Sequence, residues 1–120
     1  MPKHLGALAD IIQRTFGVAT RTRVSDAGAT IGVAISTILR QNPNRLAATI
    51  INLGGSAIYV APLGAPSATR GIRLAPTGGS VILKWDEDFD VLGYEWAAIA
   101  DAAGIAYFAI EIIADIPEEG

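Results

Sequence analysis

The chain has no cysteine among its 120 residues. That excludes a disulfide framework and any cysteine-based zinc site, and leaves the redox compartment open. It has a single histidine, His4, close to the N-terminus, so neither a Ser-His-Asp arrangement nor a multi-histidine metal site can be assembled. His4 reads as bystander surface. Aromatics make up only 7% of residues against 51% hydrophobic, so the core is aliphatic and finely grained, built from Ala, Ile, Leu and Val. Nine basic residues against twelve acidic ones give a net charge of -3, and they form no basic stripe. Nucleic-acid binding draws most of its affinity from Lys and Arg neutralising phosphates, so it is not expected. No run approaches the ~20 apolar residues of a membrane-spanning helix. The most apolar stretch, Ala97 to Ala114, is interrupted by Asp101, Gly104 and Glu111. Asp10, Gln13 and Arg14 interrupt any secretory apolar region near the start, and a soluble protein is expected.

What is present is a repeated alternation of β-rich apolar runs and turn residues. One domain is expected at this length, because a second core would need more residues than remain after the first. Residues 3–16 read as a short amphipathic helix, with Leu5, Leu8, Ile11, Ile12 and Phe16 at helical spacing and Gly17 as its stop. So short a helix is marginal alone, so its stripe must pack either on its own domain or on a neighbouring subunit. Residues 18–30 read as a linker or extended arm with one weak strand, Thr20 to Val24, bearing Arg21 and Arg23. The division expected is therefore a helix and arm at 1–30, a β domain at 31–117 and an acidic tail at 118–120.

Within the β domain, Ile31 to Arg40 reads as a strand stopped by Asn42-Pro43-Asn44. Arg45 to Leu53 follows, with Leu46, Ala48, Ile50 and Asn52 on one face and Ala47, Thr49, Ile51 and Leu53 on the other. Both faces are largely apolar, as in a central strand covered on each side or a strand with one face in a subunit interface. Gly54-Gly55 reads as a tight hairpin turn into Ser56 to Pro62. Leu63 to Thr69 is an exposed loop. Arg70 to Leu74, a Pro76-Thr77-Gly78-Gly79 turn and Ser80 to Trp85 make the next pair. Tyr94 to Ala100 and the long run Ile105 to Ile116 close the chain around an Asp101–Gly104 turn. In the last run Ala106, Phe108, Ile110, Ile112, Ala114 and Ile116 form one continuous apolar face, while the other face is mixed. Six or seven regularly spaced strands define an expected mainly β fold, an antiparallel β-sandwich or β-barrel of jelly-roll-like kind, with a short N-terminal helix and arm.

Candidate chemistry is sparse. Asp86 to Asp90, DEDFD, puts four carboxylates in five residues, but its spacing is not that of an EF-hand, and a solvated surface meeting a partner's basic patch is the better reading. Asp86 with Asp88, or Glu95 with Glu111 across a hairpin, are the available carboxylate pairs for a small hydrolase. Gly54-Gly55 and Gly78-Gly79 fit hairpins and no phosphate-binding motif. Trp85, Tyr94 and Trp96 read as core or interface anchors, with a sugar platform as the alternative. No catalytic residue, cofactor or metal site is assigned.

Asn42-Pro43-Asn44-Arg45, Ile51-Asn52-Leu53, Ala57-Ile58-Tyr59-Val60 and Gly71-Ile72-Arg73-Leu74-Ala75-Pro76 with Gly78-Gly79-Ser80 together resemble small β-rich structural proteins of tailed bacteriophages. Trp96 to Ala100 and Ile105 to Ile112 look similar too, so the likeness spans roughly residues 40–114. It implies a virion component: a capsid decoration or cement protein acting by area burial and not by catalysis, assembled in the host cytoplasm. Its partners would be itself, as a homotrimer, and the major capsid protein or another virion protein, with no nucleic acid and no membrane. A head-fibre or tail accessory protein and a carbohydrate-binding module are the alternatives. The interface candidates are Leu5, Leu8, Ile12, Phe16, Arg21, Arg23, Ile50 and Trp96.

Overall fold

A computed structural model describes residues 10, 11, 13–15, 17 and 19–115. Nine strands occur among them: β1 (Ala19–Val24), β2 (Thr30–Ile31), β3 (Ser36–Leu39), β4 (Arg45–Asn52), β5 (Ile58–Pro62), β6 (Ile72–Leu74), β7 (Ser80–Lys84), β8 (Trp96–Ala100) and β9 (Ile105–Asp115). They form two antiparallel sheets. The first runs β1-β9-β4-β7, with β2 also pairing β9, and the second runs β3-β8-β5-β6. The sheets pack face to face over Ile31, Leu39, Ile50, Ile58, Val60, Leu74, Leu83, Leu92, Trp96 and Ala98, all nearly free of solvent. This is the expected mainly β sandwich. Except for β5 to β6, every connection from β2 onward carries the chain from one sheet to the other, which is the winding of a jelly roll.

That winding overturns the hairpin at Gly54-Gly55. β4 and β5 lie in different sheets, so the glycines sit in a crossover. Gly54 is required by close approach and not by a positive φ: a Cβ there would lie 2.5 Å from Ile105 Cγ2 and 3.2 Å from the Ala106 nitrogen. The same correction applies to Gly78-Gly79, since β6 and β7 are in opposite sheets, and to β8 with β9. A short apolar-run, turn, apolar-run pattern is common to hairpins and crossovers, and only non-local contacts separate the two.

Two buried polar residues, at either end of β4, hold the winding. Asn52 is fully buried. Its Nδ2 donates to the Ser56 carbonyl at 2.7 Å and the Leu74 carbonyl at 3.0 Å, and its Oδ1 accepts from the Gly54 N–H at 2.9 Å. Its backbone N–H reaches the Gly79 carbonyl at 2.8 Å, and its carbonyl accepts from the Gly78 N–H at 2.7 Å. One residue thus ties the β4–β5 crossover to the β6–β7 crossover. Thr77, a β-branched residue at φ +56, is held in that strained conformation by its N–H bond to the Gly54 carbonyl.

At the other end Arg45 is 3% exposed. Its Nε donates to Glu111 Oε1 at 2.6 Å, and its Nη1 donates to the carbonyls of Leu92 at 2.8 Å and Tyr94 at 3.2 Å. Its Nη2 donates to the Arg40 carbonyl. The preceding turn is fixed by Asn42, whose Oδ1 accepts from the Asn44 N–H at 2.9 Å, the local bond that suits Asn to this place.

Three further expectations change. The weak strand expected over Thr20 to Val24 is present as the six-residue β1, but it belongs to the first sheet and not to a free arm, held by pairing with β9 from Ala19↔Asp115 to Val24↔Ile110. The single strand expected over Ile31 to Arg40 is split at 32–35 into β2 and β3, one in each sheet. The acidic run is a short helix, Trp85–Asp88, followed by a 3-10 turn, Phe89–Gly93, with Asp88 Oδ2 accepting from the Lys84 N–H at 2.7 Å. Residues 10, 11 and 13–15 are helical, and the Gly17 N–H bonds to the Gln13 carbonyl at 2.7 Å, where the stop was expected.

Candidate assembly interface

β9 is the longest strand, and its alternation decides what the first sheet shows to solvent. Its inward side chains are Ile105, Tyr107, Ala109, Glu111 and Ile113, the mixed face, with Glu111 neutralised by Arg45. The continuous apolar face, Ala106, Phe108, Ile110 and Ile112, is turned outward. The pairings add β4 outward residues Ala47, Thr49 and Ile51 beside it. Val24 on β1, Ile82 on β7 and Leu53 beyond β4 extend the patch at 58%, 60% and 56% exposure. A broad apolar sheet face, edged by Lys84 on β7, is the surface expected of an association site, while Arg21 and Arg23 pair with Ile113 and Glu111 and so lie on the other side of β1.

Of the interface candidates, Leu5, Leu8, Ile12 and Phe16 lie outside the described residues. Ile11, in the same helical stretch, is 57% exposed. Arg21 and Arg23 are exposed on β1. Ile50 and Trp96 are corrected: each is 1% exposed and belongs to the core, and the Trp96 Nε1–H is spent on the Val91 carbonyl at 3.0 Å. They hold the sandwich together and have no surface to offer. Ile50 is on the inward side of β4, and Ala47, Thr49 and Ile51 face out.

A second exposed feature lies at the Arg45 end. Pro43, Leu46, Trp85, Phe89 and Tyr94 line a depression of about 460 Å³ with Gln41 and Asp90. Phe89 is 75% exposed at φ +52 and ψ -133, a conformation rarely adopted by a residue with a side chain. Sequence patterns do not reveal this, because Phe89 lies inside a charge run. Of the carboxylates considered for catalysis, Glu111 is ion-paired with Arg45, Asp88 accepts from the Lys84 backbone N–H, and Glu95 stands just before β8 in the second sheet while Glu111 is on β9 in the first. Among the described residues no group of three or more His, Asp or Glu is placed to hold a metal ion.

A polar cleft of about 450 Å³ opens between β1 and β3, lined by Arg23, Asp26, Arg40, Asn42, Tyr107 and Glu111 among others. Burial, and secondly the Asp26 carboxylate, push the Tyr107 phenol above its ordinary value of 10.0. The folded state therefore holds the phenolic proton more tightly than the unfolded chain does. That contribution is complete below the unfolded value and is lost as pH rises through the folded one. Tyr107→Phe is expected to flatten the alkaline limb of the stability curve above pH ~10 while changing neutral stability by less than ~1 kcal/mol. Urea melts at stepped pH measure this, and an unchanged alkaline limb would refute it.

No protein-family model matches the chain, and no curated protein matches it. Among solved structures, a subunit of Bacillus endospore appendages, described as disulfide-linked pili, is similar at 17% identity and TM-score 0.52, over 83% of this chain and 89% of that one. A cupin of the RmlC-like kind from Shewanella frigidimarina aligns at 12% identity and TM-score 0.36, over 84% of this chain and 68% of that one. The Tobacco streak virus coat protein aligns at 9% identity and TM-score 0.38, over 84% and 90%. The likeness to the appendage subunit is one of fold.

Proposed function

We propose that the chain is a structural protein of a virion, a capsid decoration or cement subunit that acts by burying its outer sheet face across neighbouring subunits. The observation that carries this is the orientation of β9, whose continuous apolar face, Phe108, Ile110 and Ile112 included, is turned away from the core. A domain that spends its most apolar strand face on the outside gains by covering it. The sequence likeness to phage structural proteins supports the virion setting, and the fold shared with an appendage subunit is compatible with a role in assembly. That subunit is described as disulfide-linked, whereas this chain has no cysteine, so its own assembly would rest on non-covalent burial. Three copies around an axis are the proposed closed form, with Leu5, Leu8, Ile12 and Phe16 adding contacts to a neighbour.

The test is sedimentation of the purified chain together with its binding to heads assembled without it. The native chain is expected to self-associate and to raise the melting temperature of such heads. Ile112→Asp, at a surface position, is expected to weaken both by about tenfold or more while leaving the chain's own fold intact by circular dichroism. A monomeric chain that leaves the heads unchanged overturns the proposal.

A further inference from the structure

Among the described residues the first sheet ends in two edges with no further strand beside them, β1 at one side and β7 at the other. Pairing registers connect them row by row. Val24 pairs Ile110, Ile110 pairs Thr49, and Thr49 pairs Ile82. In the next row Thr22 pairs Ile112, Ile112 pairs Ala47, and Ala47 pairs Lys84. Three successive antiparallel pairings leave β1 and β7 running in opposite directions. β7 of one copy set beside β1 of the next would therefore continue the same antiparallel ladder without reversal.

The two edges also match in side chains. A join that preserves the rows sets Val24 of one copy opposite Ile82 of the next, and these are among the most exposed aliphatic residues of the sheet at 58% and 60%. It sets Thr22 opposite Lys84. One position past Lys84 the chain enters the short helix with Asp86 and Glu87, and one position before Thr22 stands Arg21, so an acidic segment meets a basic one. Pairing β1 with β1 would instead put arginines against arginines, which disfavours the symmetric alternative.

We propose that copies of this chain join head to tail, β1 of one to β7 of the next, extending the first sheet through the assembly. This rests on the self-association proposed above and specifies its contact. Such a contact uses two different surfaces, so it closes into a ring or propagates as a filament. The outer apolar faces of successive copies then merge into one continuous surface.

The cysteine-free background makes the test direct. Val24→Cys and Ile82→Cys are made in separate full-length chains and treated with a short thiol-reactive crosslinker at concentrations where sedimentation shows oligomers. Neither variant alone is expected to crosslink, and an equimolar mixture is expected to give a covalent pair at about tenfold or more over either alone. Thr22→Cys with Lys84→Cys repeats the experiment one row along, should the first pair perturb the edge. The double variant Val24→Cys/Ile82→Cys should give a ladder, ending at the ring size if the assembly closes. Arg21→Glu/Arg23→Glu should weaken self-association by about tenfold, and mixing with Asp86→Arg/Glu87→Arg should restore it. Oligomers with no mixture-specific crosslink at either row, or single variants that crosslink to themselves, overturn the edge pairing and leave the proposed function standing. A chain monomeric at every concentration overturns the edge pairing, and head binding, measured separately, then decides the functional reading.

Discussion

Asn52→Asp is expected to destabilise the domain by about 3–5 kcal/mol at neutral pH, a large share of the roughly 5–15 kcal/mol that holds a domain folded. Asn52 is fully buried, and its amide donates to the carbonyls of Ser56 and Leu74. A carboxylate offers those two oxygens no proton and adds a charge to a site without a cation. The introduced carboxyl accordingly stays protonated in the fold, with its pKa raised above the unfolded value. By the same linkage that governs Tyr107, its stability is greatest below the unfolded carboxylate range, about pH 4, and declines as pH rises through the folded value. The gap between variant and native chain should thus widen from pH ~4 to pH ~7. Asn52→Leu separates charge from hydrogen bonding: it removes all three side-chain bonds and should cost a similar ~3 kcal/mol, with no pH dependence of its own. Urea melts of the three proteins across that range measure this. A pH-independent gap for Asn52→Asp would show that the carboxyl reaches solvent or a cation.

The position of Asn52 also shows where sequence reading stops. Ile51-Asn52-Leu53 was legible as the end of a strand before a glycine turn, and the strand, the turn and its approximate bounds are present. What the local pattern could not carry is that the turn leaves the sheet, because the deciding contacts come from Leu74, Gly78 and Gly79 some 22 to 27 positions further on. β1 was legible only as a weak strand, Thr20 to Val24, in an arm, for the same reason. Its alternation of Thr and Arg has no buried face of its own, and it is a strand because β9, about ninety residues away, supplies its hydrogen bonds. At β9 the alternation showed one apolar and one mixed face without saying which turns inward, and the more apolar face is the outer one. Side-chain polarity alone assigns Glu111 to solvent, and only the guanidinium of Arg45 allows the mixed face to turn inward.

The residues that carry the likeness to phage structural proteins gain a physical reading from this. Asn42 fixes the turn before β4, Arg45 and Asn52 secure its two ends, and Gly79 stands where a Cβ would meet the Ala75 backbone nitrogen at 2.2 Å. These positions specify the winding of the sandwich. The surface proposed to assemble is carried by Val24, Ile82, Phe108, Ile110 and Ile112, whose apolar character is common to cores and contacts alike. Fold was therefore more legible than site: the turn residues have distinctive chemistry, and the candidate interface residues do not.

Arg45→Met should cost about 3–5 kcal/mol, because it leaves the Glu111 carboxylate without its cation and three backbone carbonyls without a donor. Those carbonyls belong to Arg40, Leu92 and Tyr94, so the loss falls at once on the β3–β4 turn, the 3-10 turn and the lead into β8. Arg45→Lys keeps the charge but replaces a planar fork by a compact ammonium, which cannot serve acceptors spread around a guanidinium, and should fall between native and Met. Removing the stranded charge separates the two contributions. In Arg45→Met/Glu111→Gln the carboxylate is gone, so the double variant should be less destabilised than the sum of the single ones by about 1–3 kcal/mol. The residual loss then measures the carbonyls alone. Because this end of β4 also borders the depression around Trp85 and Phe89, the indole fluorescence of Arg45→Met should shift even where the chain is still folded. Midpoints in urea at constant m give the four free energies. Additive losses, with no coupling between Arg45 and Glu111, would mean that Glu111 is sustained by solvent, and that the inward turn of the mixed face of β9 has another cause.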